Sequence, residues 1–156
     1  MIFVTGSAGF IGSNFVLDWF KISNEPILSI DKLTYASCIK NLESLEENVS
    51  HTFVKVDIGD SNQIEKLLKK YKPKAIINFA AESHVDRSIE GPREFINTNI
   101  VGTFNLLEST LKYWQDLTED KRNNFRFIHV STDEVYGSLK LMDRSFTEEN
   151  PYRRSE

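Results

Sequence analysis

At 156 residues the chain has the length of one ordinary domain with a core of its own. Its apolar (40%), charged (27%) and aromatic (12%) fractions are those of a soluble globular protein and exclude a disordered or fibrous chain. A net charge of -4 excludes the electrostatic footprint of a nucleic-acid or anionic-membrane binder, leaving the basic residues around Lys69, Lys72 and Arg153 as solvated helix-end or loop charges.

Met1 leads straight into an apolar strand, and no apolar run approaches the ~18 residues of a membrane span. No leader, no membrane partner and a cytoplasmic location are therefore expected. The one cysteine, Cys38, is expected as a reduced thiol.

Ile2-Phe3-Val4-Thr5 reads as a short strand running into Gly6-Ser7-Ala8-Gly9-Phe10-Ile11-Gly12. The apolar spacing then turns helical, with Ile11, Phe15, Val16, Trp19 and Phe20 on one core-facing side of a helix ending near Ile22. After a loop, Ile27 to Asp31 is a second strand, and His51 to Asp57 alternates as a third. Asp60 or Ser61 caps a helix that turns Ile64, Leu67, Leu68 and Tyr71 inward and stops at Pro73. Lys74 to Phe79 is apolar enough for a fourth strand buried on both faces. A long helix begins near Pro92, with Ile96, Ile100, Phe104, Leu107, Leu111 and Trp114 on one stripe and with Thr98 and Asn99 expected to face water. Phe125 to Ser131 is a fifth strand. Strands alternating with helices predict an α/β fold with a parallel, doubly wound sheet, right-handed crossovers and one domain across residues 1–156.

In such a sheet ligands bind beyond the carboxyl ends of the strands, where this chain keeps its polar residues. Gly6 permits the turn out of the first strand, Gly9 leaves the backbone open to a diphosphate, and Gly12 lets the helix pack closely. The helix N-terminus then faces the anion. By itself the triplet fits either a dinucleotide site or a plain turn; Asp31, at the end of the second strand, is the acidic residue that a dinucleotide site needs for its ribose hydroxyls. The G-x-x-G-x-x-G spacing resembles the short-chain dehydrogenase/reductase superfamily, and Asp31 favours NAD over NADP. Asp57 fits either an adenine neighbour or a turn aspartate. Asp133 and Glu134, just past the fifth strand, fit either a helix start or an acid-base pair of unequal environment. His84 fits an ordinary loop histidine, and His51, His84 and His129 lack metal-ligand spacing, so no metal is expected.

Three blocks go further: Asp31-Lys32-Leu33-Thr34-Tyr35-Ala36, Asn78-Phe79-Ala80-Ala81-Glu82-Ser83-His84-Val85-Asp86-Arg87-Ser88-Ile89, and Ser131-Thr132-Asp133-Glu134-Val135-Tyr136-Gly137. Together they resemble the dTDP-glucose 4,6-dehydratases, a family of extended short-chain dehydrogenases/reductases with a Rossmann-type NAD-binding domain, and the likeness runs from Met1 onward in register. The resemblance implies that Phe10, Ile11, Asp31, Lys32, Leu33, Thr34, Asp57, Ile58, Phe79, Ala80, Ala81, Ser83 and Thr98 line NAD. It implies that Ser83 and Thr132 touch the nucleotide sugar dTDP-glucose, that Thr132 stands in the place of the superfamily's catalytic serine, that Asp133 is the general acid and that Glu134 is the general base. A homodimer through the long helix is implied as well.

The family also uses a Tyr-x-x-x-Lys pair. Tyr152 is followed four residues on by Glu156, so it does not supply that pair. The expectation is an amino-terminal portion, ending after the fifth strand, without the carboxy-terminal substrate domain and without turnover of its own. The alternatives are a sugar-nucleotide epimerase or decarboxylase of the same superfamily, which has no use for adjacent Asp133 and Glu134, and a non-catalytic nucleotide-binding module.

Overall fold

Ile2–Thr5 forms strand β1, and all four residues are buried, as an unbroken apolar run requires when both faces of a sheet are covered. The structure, a computed structural model, describes residues 1–153. Glu156, the residue four beyond Tyr152, lies outside the described residues. The other strands are β2 (Ile27–Asp31), β3 (His51–Lys55), β4 (Ala75–Asn78) and β5 (Arg126–His129). All pair in parallel, in the order β3-β2-β1-β4-β5. The chain winds outward from β1 to β3, then crosses back to β4, so a crevice opens between the carboxyl ends of β1 and β4.

Helices α1 (Phe10–Ile22), α2 (Ser61–Tyr71), α3 (Val85–Glu90), α4 (Pro92–Phe95), α5 (Thr103–Gln115) and α6 (Glu119–Asn124) connect the strands. Alternation along the strands splits the core in two. Phe3, Leu28, Ile30 and Ile76 pack on one face with Ile64, Leu68 and Leu106; Ile2, Val4, Ile27 and Ile77 pack on the other with Val16, Leu42 and Leu45. The sheet is thus covered on both sides, as a doubly wound Rossmann-type fold requires. Asp60 caps α2 by accepting from the Gln63 N–H at 3.0 Å. Ile11 leaves the face expected of it: in the first turn of α1, beyond the sheet, it is 60% exposed.

The long helix departs from its expected form. Residues Ile96–Gly102, between α4 and α5, are π-helical. The i→i+5 bonding displaces the following side chains around the axis, and Thr98 is buried rather than facing water. At Gly102 a Cβ would stand 3.1 Å from Ile58 Cγ1, so this segment passes close over the end of β3. The stripe Ile96, Ile100, Phe104, Leu107, Leu111 and Trp114 is exposed, while Leu106, Ser109 and Thr110 face the sheet. β5 forms one edge of the sheet, and Arg126, Ile128 and His129 are exposed. Among the described residues, no helix is long and apolar enough to cross a membrane.

Candidate functional site

The loop from β1 to α1 is built by backbone contacts that exclude side chains. Gly6 has φ +64°, and a Cβ there would lie 2.6 Å from Ala80 N, so the loop lies against the end of β4. A Cβ on Gly12 would stand 2.2 Å from the Gly6 carbonyl oxygen, which makes Gly12 the seat of the helix on its own loop. Gly9 differs: a Cβ there would meet nothing nearer than the Gly6 oxygen at 3.4 Å. Gly9 is also the N-cap of α1, and no side chain caps it. The first N–H groups of α1 and the positive end of its dipole therefore remain available to an anion, next to open space. Phe10 and Ile11 project outward beside them.

At the end of β2, Asp31 is 7% exposed, and its carboxylate organises the neighbouring turn. Oδ2 accepts from Ala8 N–H at 3.0 Å, and Oδ1 accepts from Leu33 N–H at 2.8 Å and from the Ser37 hydroxyl at 3.0 Å. Leu33 takes φ +56°, rare for a residue with a branched side chain, to complete this turn. The Thr34 hydroxyl accepts from Ala36 N–H at 3.3 Å. Lys32 reaches across to donate to the Thr98 hydroxyl at 2.9 Å and lies 3.5 Å from Asp57 Oδ2. Asp57 also accepts from Gly59 N–H at 2.8 Å, so it is a turn aspartate that at the same time faces this groove. Ile58 beside it is buried. Lys32, Asp57, Gly59, Thr98 and Asn105 line a recess of about 400 Å³.

At the end of β4, Asn78 sits in register with Thr5 and His129 and bonds to both. It also accepts from Ala80 N–H at 3.2 Å. Phe79 packs on Phe15, with ring centroids 5.4 Å apart. Glu82 is held through its backbone by the side chain of Asn99 and accepts from the Tyr35 hydroxyl at 2.7 Å. Ala81, Ser83 and His84 are exposed on the same loop. The ring of His84 lies 5.7 Å from that of Tyr35. Asn99, Ser37 and Asn105 had no signal in the sequence, because polar residues in a helix or loop carry no period that marks them as bonded.

Past β5, a 3-10 turn spans Asp133–Tyr136, and the Thr132 hydroxyl caps it by accepting from Glu134 N–H at 3.3 Å. The same oxygen lies 3.5 Å from a carboxylate oxygen of both Asp133 and Glu134. The sequence leaves Asp133 and Glu134 open to two readings, a helix start or an acid-base pair of unequal environment, and the capped 3-10 turn is the first of these. Both are exposed, at the end of an edge strand, so burial does not set them apart. The chain folds back onto the turn: Arg153 N–H donates to the Val135 carbonyl at 3.1 Å, and Tyr136 lies between Phe146 and Tyr152 with centroids 5.5 Å from each. Ser131, Thr132, Asp133, Tyr136 and Tyr152 border an open recess of about 660 Å³. Among the described residues, no group of three His, Cys, Asp or Glu could hold a metal ion.

The predicted residues thus converge on the carboxyl ends of the five strands. The chain is 54% identical over 149 residues to the dTDP-glucose 4,6-dehydratase of Xanthomonas campestris pv. campestris, covering 96% of this chain and 42% of that protein. It superposes on the structure of the dTDP-glucose 4,6-dehydratase of Streptomyces venezuelae, which holds NAD, with TM-score 0.84 and 38% identity, covering 98% of this chain and 45% of that one. The Thermus thermophilus UDP-glucose 4-epimerase in complex with NAD shares the fold at TM-score 0.79 and 27% identity, with 98% of this chain and 44% of that one covered. The chain therefore spans less than half the length of the relatives it matches. Residues 3–155 match the family model described as GDP-mannose 4,6 dehydratase, and with the Rossmann-type sheet and the strand-end site above, the chain belongs to that family.

Proposed function

We propose that the chain is the NAD-binding portion of a nucleotide-sugar dehydratase that converts dTDP-glucose to its 4-keto-6-deoxy product. The observation that carries this reading is the placement, along the carboxyl end of one sheet, of an uncapped helix N-terminus, a buried carboxylate and the Thr132-Asp133-Glu134 turn. The residues fit NAD. The N–H groups of the Gly6–Gly12 loop, with Phe10 and Ile11, suit the diphosphate. Asp31 suits the adenosine ribose: three donors use its carboxylate, which has about four acceptor positions, and rotation of the Ser37 hydroxyl frees a further one. Lys32, Leu33 and Thr34 continue that turn. Asp57 and Thr98 border the recess assigned to adenine, and the buried Ile58 packs behind Asp57. Phe79, Ala80, Ala81 and Ser83 flank the nicotinamide half, beside Gly6.

Bound NAD would supply a hydride acceptor that oxidises carbon 4 of the glucose and later returns the hydride to carbon 6. The chain's own residues serve the elimination between those events. Glu134 takes the proton from carbon 5, made acidic by the adjacent ketone, and Asp133 protonates the departing carbon 6 hydroxyl so that water leaves. Thr132 and Ser83 hold the sugar. The adjacent Asp133 and Glu134 favour elimination over epimerisation, which forms no water. Tyr136 and Lys140 stand at Tyr-x-x-x-Lys spacing, but Tyr136 lies inside the Asp133–Tyr136 turn itself, and Tyr152 is followed by Glu156, so the 156-residue chain is expected to give no turnover with NAD and dTDP-glucose. The exposed stripe from Ile96 to Trp114 supports a homodimer, and the lone exposed thiol of Cys38 accords with the cytoplasm.

Competitive titration tests the reading. NAD is expected to bind, and NADP to bind at least tenfold more weakly because its extra phosphate meets the Asp31 carboxylate. Equal binding of the two by this chain, or binding of neither, would contradict the reading.

A further inference from the structure

Glu82 is a carboxylate only 9% exposed, and the elimination assigned to Asp133 and Glu134 does not use it. Its side chain meets the loop that follows β2, where the Tyr35 hydroxyl donates to Oε2 at 2.7 Å. The Tyr35 ring is about half exposed and lies 5.7 Å from the His84 ring, so residues on both sides of Ser83 meet it. The bond joins two loops 47 residues apart in sequence.

Strand order gives this contact its meaning. β2 and β4 are not neighbours: both pair with β1, which lies between them. A bond between the loops that follow β2 and β4 therefore passes over the end of β1, where the glycine loop begins. That loop is flanked on both sides. The Ala8 carbonyl accepts from Cys38 N–H at 3.0 Å and from Asn41 Nδ2 at 2.9 Å on the β2 side, and a Cβ on Gly6 would lie 2.6 Å from Ala80 N on the β4 side. The Ala36 carbonyl oxygen, next to Tyr35, is 4.0 Å from where a Gly9 Cβ would stand. The glycine loop is thus the floor of a groove, the two flanking loops are its walls, and the Tyr35–Glu82 bond ties the walls together. A dinucleotide laid from the end of β2 to the end of β4 runs in the same direction as this tie and is covered along its length.

We propose that the Tyr35–Glu82 hydrogen bond is a strap over the cofactor groove, and that NAD enters and leaves only while it is open. This rests on the NAD reading above and deepens it. Both partners are side chains of the chain itself, so the strap needs no ligand to close. A gate shut to the same degree with and without ligand slows entry and exit by one common factor and leaves the dissociation constant unchanged. A residue that merely touches NAD changes exit alone. Opening breaks one hydrogen bond to a carboxylate, which is strong enough to hold the open form to about a tenth of the population or less.

Stopped-flow fluorescence on the 156-residue chain tests the strap, with NADH as the optical probe and excess NAD to chase it out. Tyr35→Phe keeps the ring beside His84 and deletes the bond. Entry and exit should both quicken about tenfold, with the dissociation constant within threefold of the parent's and the melting temperature within a few degrees. Glu82→Gln keeps a neutral acceptor for the Tyr35 hydroxyl, so its rates should fall between those of the parent and of Tyr35→Phe. Unchanged rates in Tyr35→Phe would overturn the inference. So would faster exit with unchanged entry, which marks Tyr35 as an ordinary NAD contact, or a Glu82→Gln chain no slower than Tyr35→Phe. Should Tyr35→Phe fail to fold, Glu82→Met removes the acceptor from the other wall and must quicken both rates alike; rates like the parent's would overturn the inference. A parent chain that binds neither NADH nor NAD would instead overturn the NAD reading, and the strap with it.

Discussion

The glycine loop allows ligand approach to be separated from folding. Gly9 has φ -74° and ψ 175°, angles open to alanine, and its Cβ would meet nothing nearer than 3.4 Å. Replacing glycine by alanine there gains about 0.4–1 kcal/mol by restricting the unfolded chain. Alanine is a poorer N-cap than glycine by a comparable amount, so the two terms nearly cancel. Gly9→Ala should therefore fold with a stability within about 1 kcal/mol of the parent. Its methyl, however, stands where a diphosphate oxygen must come within about 2.9 Å of the helix N–H groups. A loss of at least ~100-fold in NAD affinity, about 2.7 kcal/mol, is expected. Gly12→Ala inverts the pattern. Its Cβ would sit 2.2 Å from the Gly6 carbonyl oxygen, backbone against backbone, so the helix must move. A cost of about 3 kcal/mol and a fall in melting temperature of about 6–12 °C follow for a domain of this size. Calorimetry and thermal melts on the same two proteins make the comparison. A Gly9→Ala chain that melts like the parent and binds NAD within threefold of it would refute the placement of the diphosphate at this loop.

The remaining predictions concern the core, the exposed stripe and pH. Ile76 is fully buried between β1 and β5, and Ile76→Ala should lower unfolding free energy by about 3 kcal/mol in a urea titration; a change under 1 kcal/mol would contradict the packing. The stripe of Ile100, Phe104, Leu107 and Leu111 should drive self-association, and Ile100→Glu with Leu107→Lys should leave a monomer in sedimentation, whereas parent and variant sedimenting alike would deny that the stripe is an interface. Burial lowers the pKa of His51 below its ordinary value, opposed only in part by the backbone hydrogen bond at Leu45. The unfolded chain therefore takes up the proton first, so the neutral histidine's contribution is present above about pH 6.5 and is lost as the pH falls below it. Urea midpoints should fall between about pH 7.5 and about pH 5.5, and less so in His51→Gln; equal slopes would remove His51 as the cause.

The strands were legible because each is buried on both faces and so reads as an unbroken apolar run; Ile27, Leu28 and Ile30 show this in β2. Helix α2 was legible from the spacing of Ile64 and Leu68, and its cap to within two neighbours, Asp60 and Ser61, of which Asp60 accepts the Gln63 N–H. The 3-10 segment Ile39–Leu45 was missed: it buries only Leu42 and Leu45, too few residues to define a period. The stripe on α5 was found, but periodicity marks an apolar face without saying what covers it, and here Leu106 on another face meets the sheet instead. The burial of Thr98 was hidden for a related reason. Its partner Lys32 lies 66 positions away, and the π turn that aims it depends on close contact with Ile58 and not on any local preference. Asp31 was legible from its spacing to the glycines, whereas its bonds to Ala8, Leu33 and Ser37 follow from a turn that only the folded backbone defines.

Titration of NAD into the 156-residue chain and its Asp31→Ala variant tests the central claim most directly. The account predicts one site per chain in the parent and binding weakened beyond detection by the substitution. Undiminished binding by the variant, or a parent that folds and binds no NAD, would contradict it.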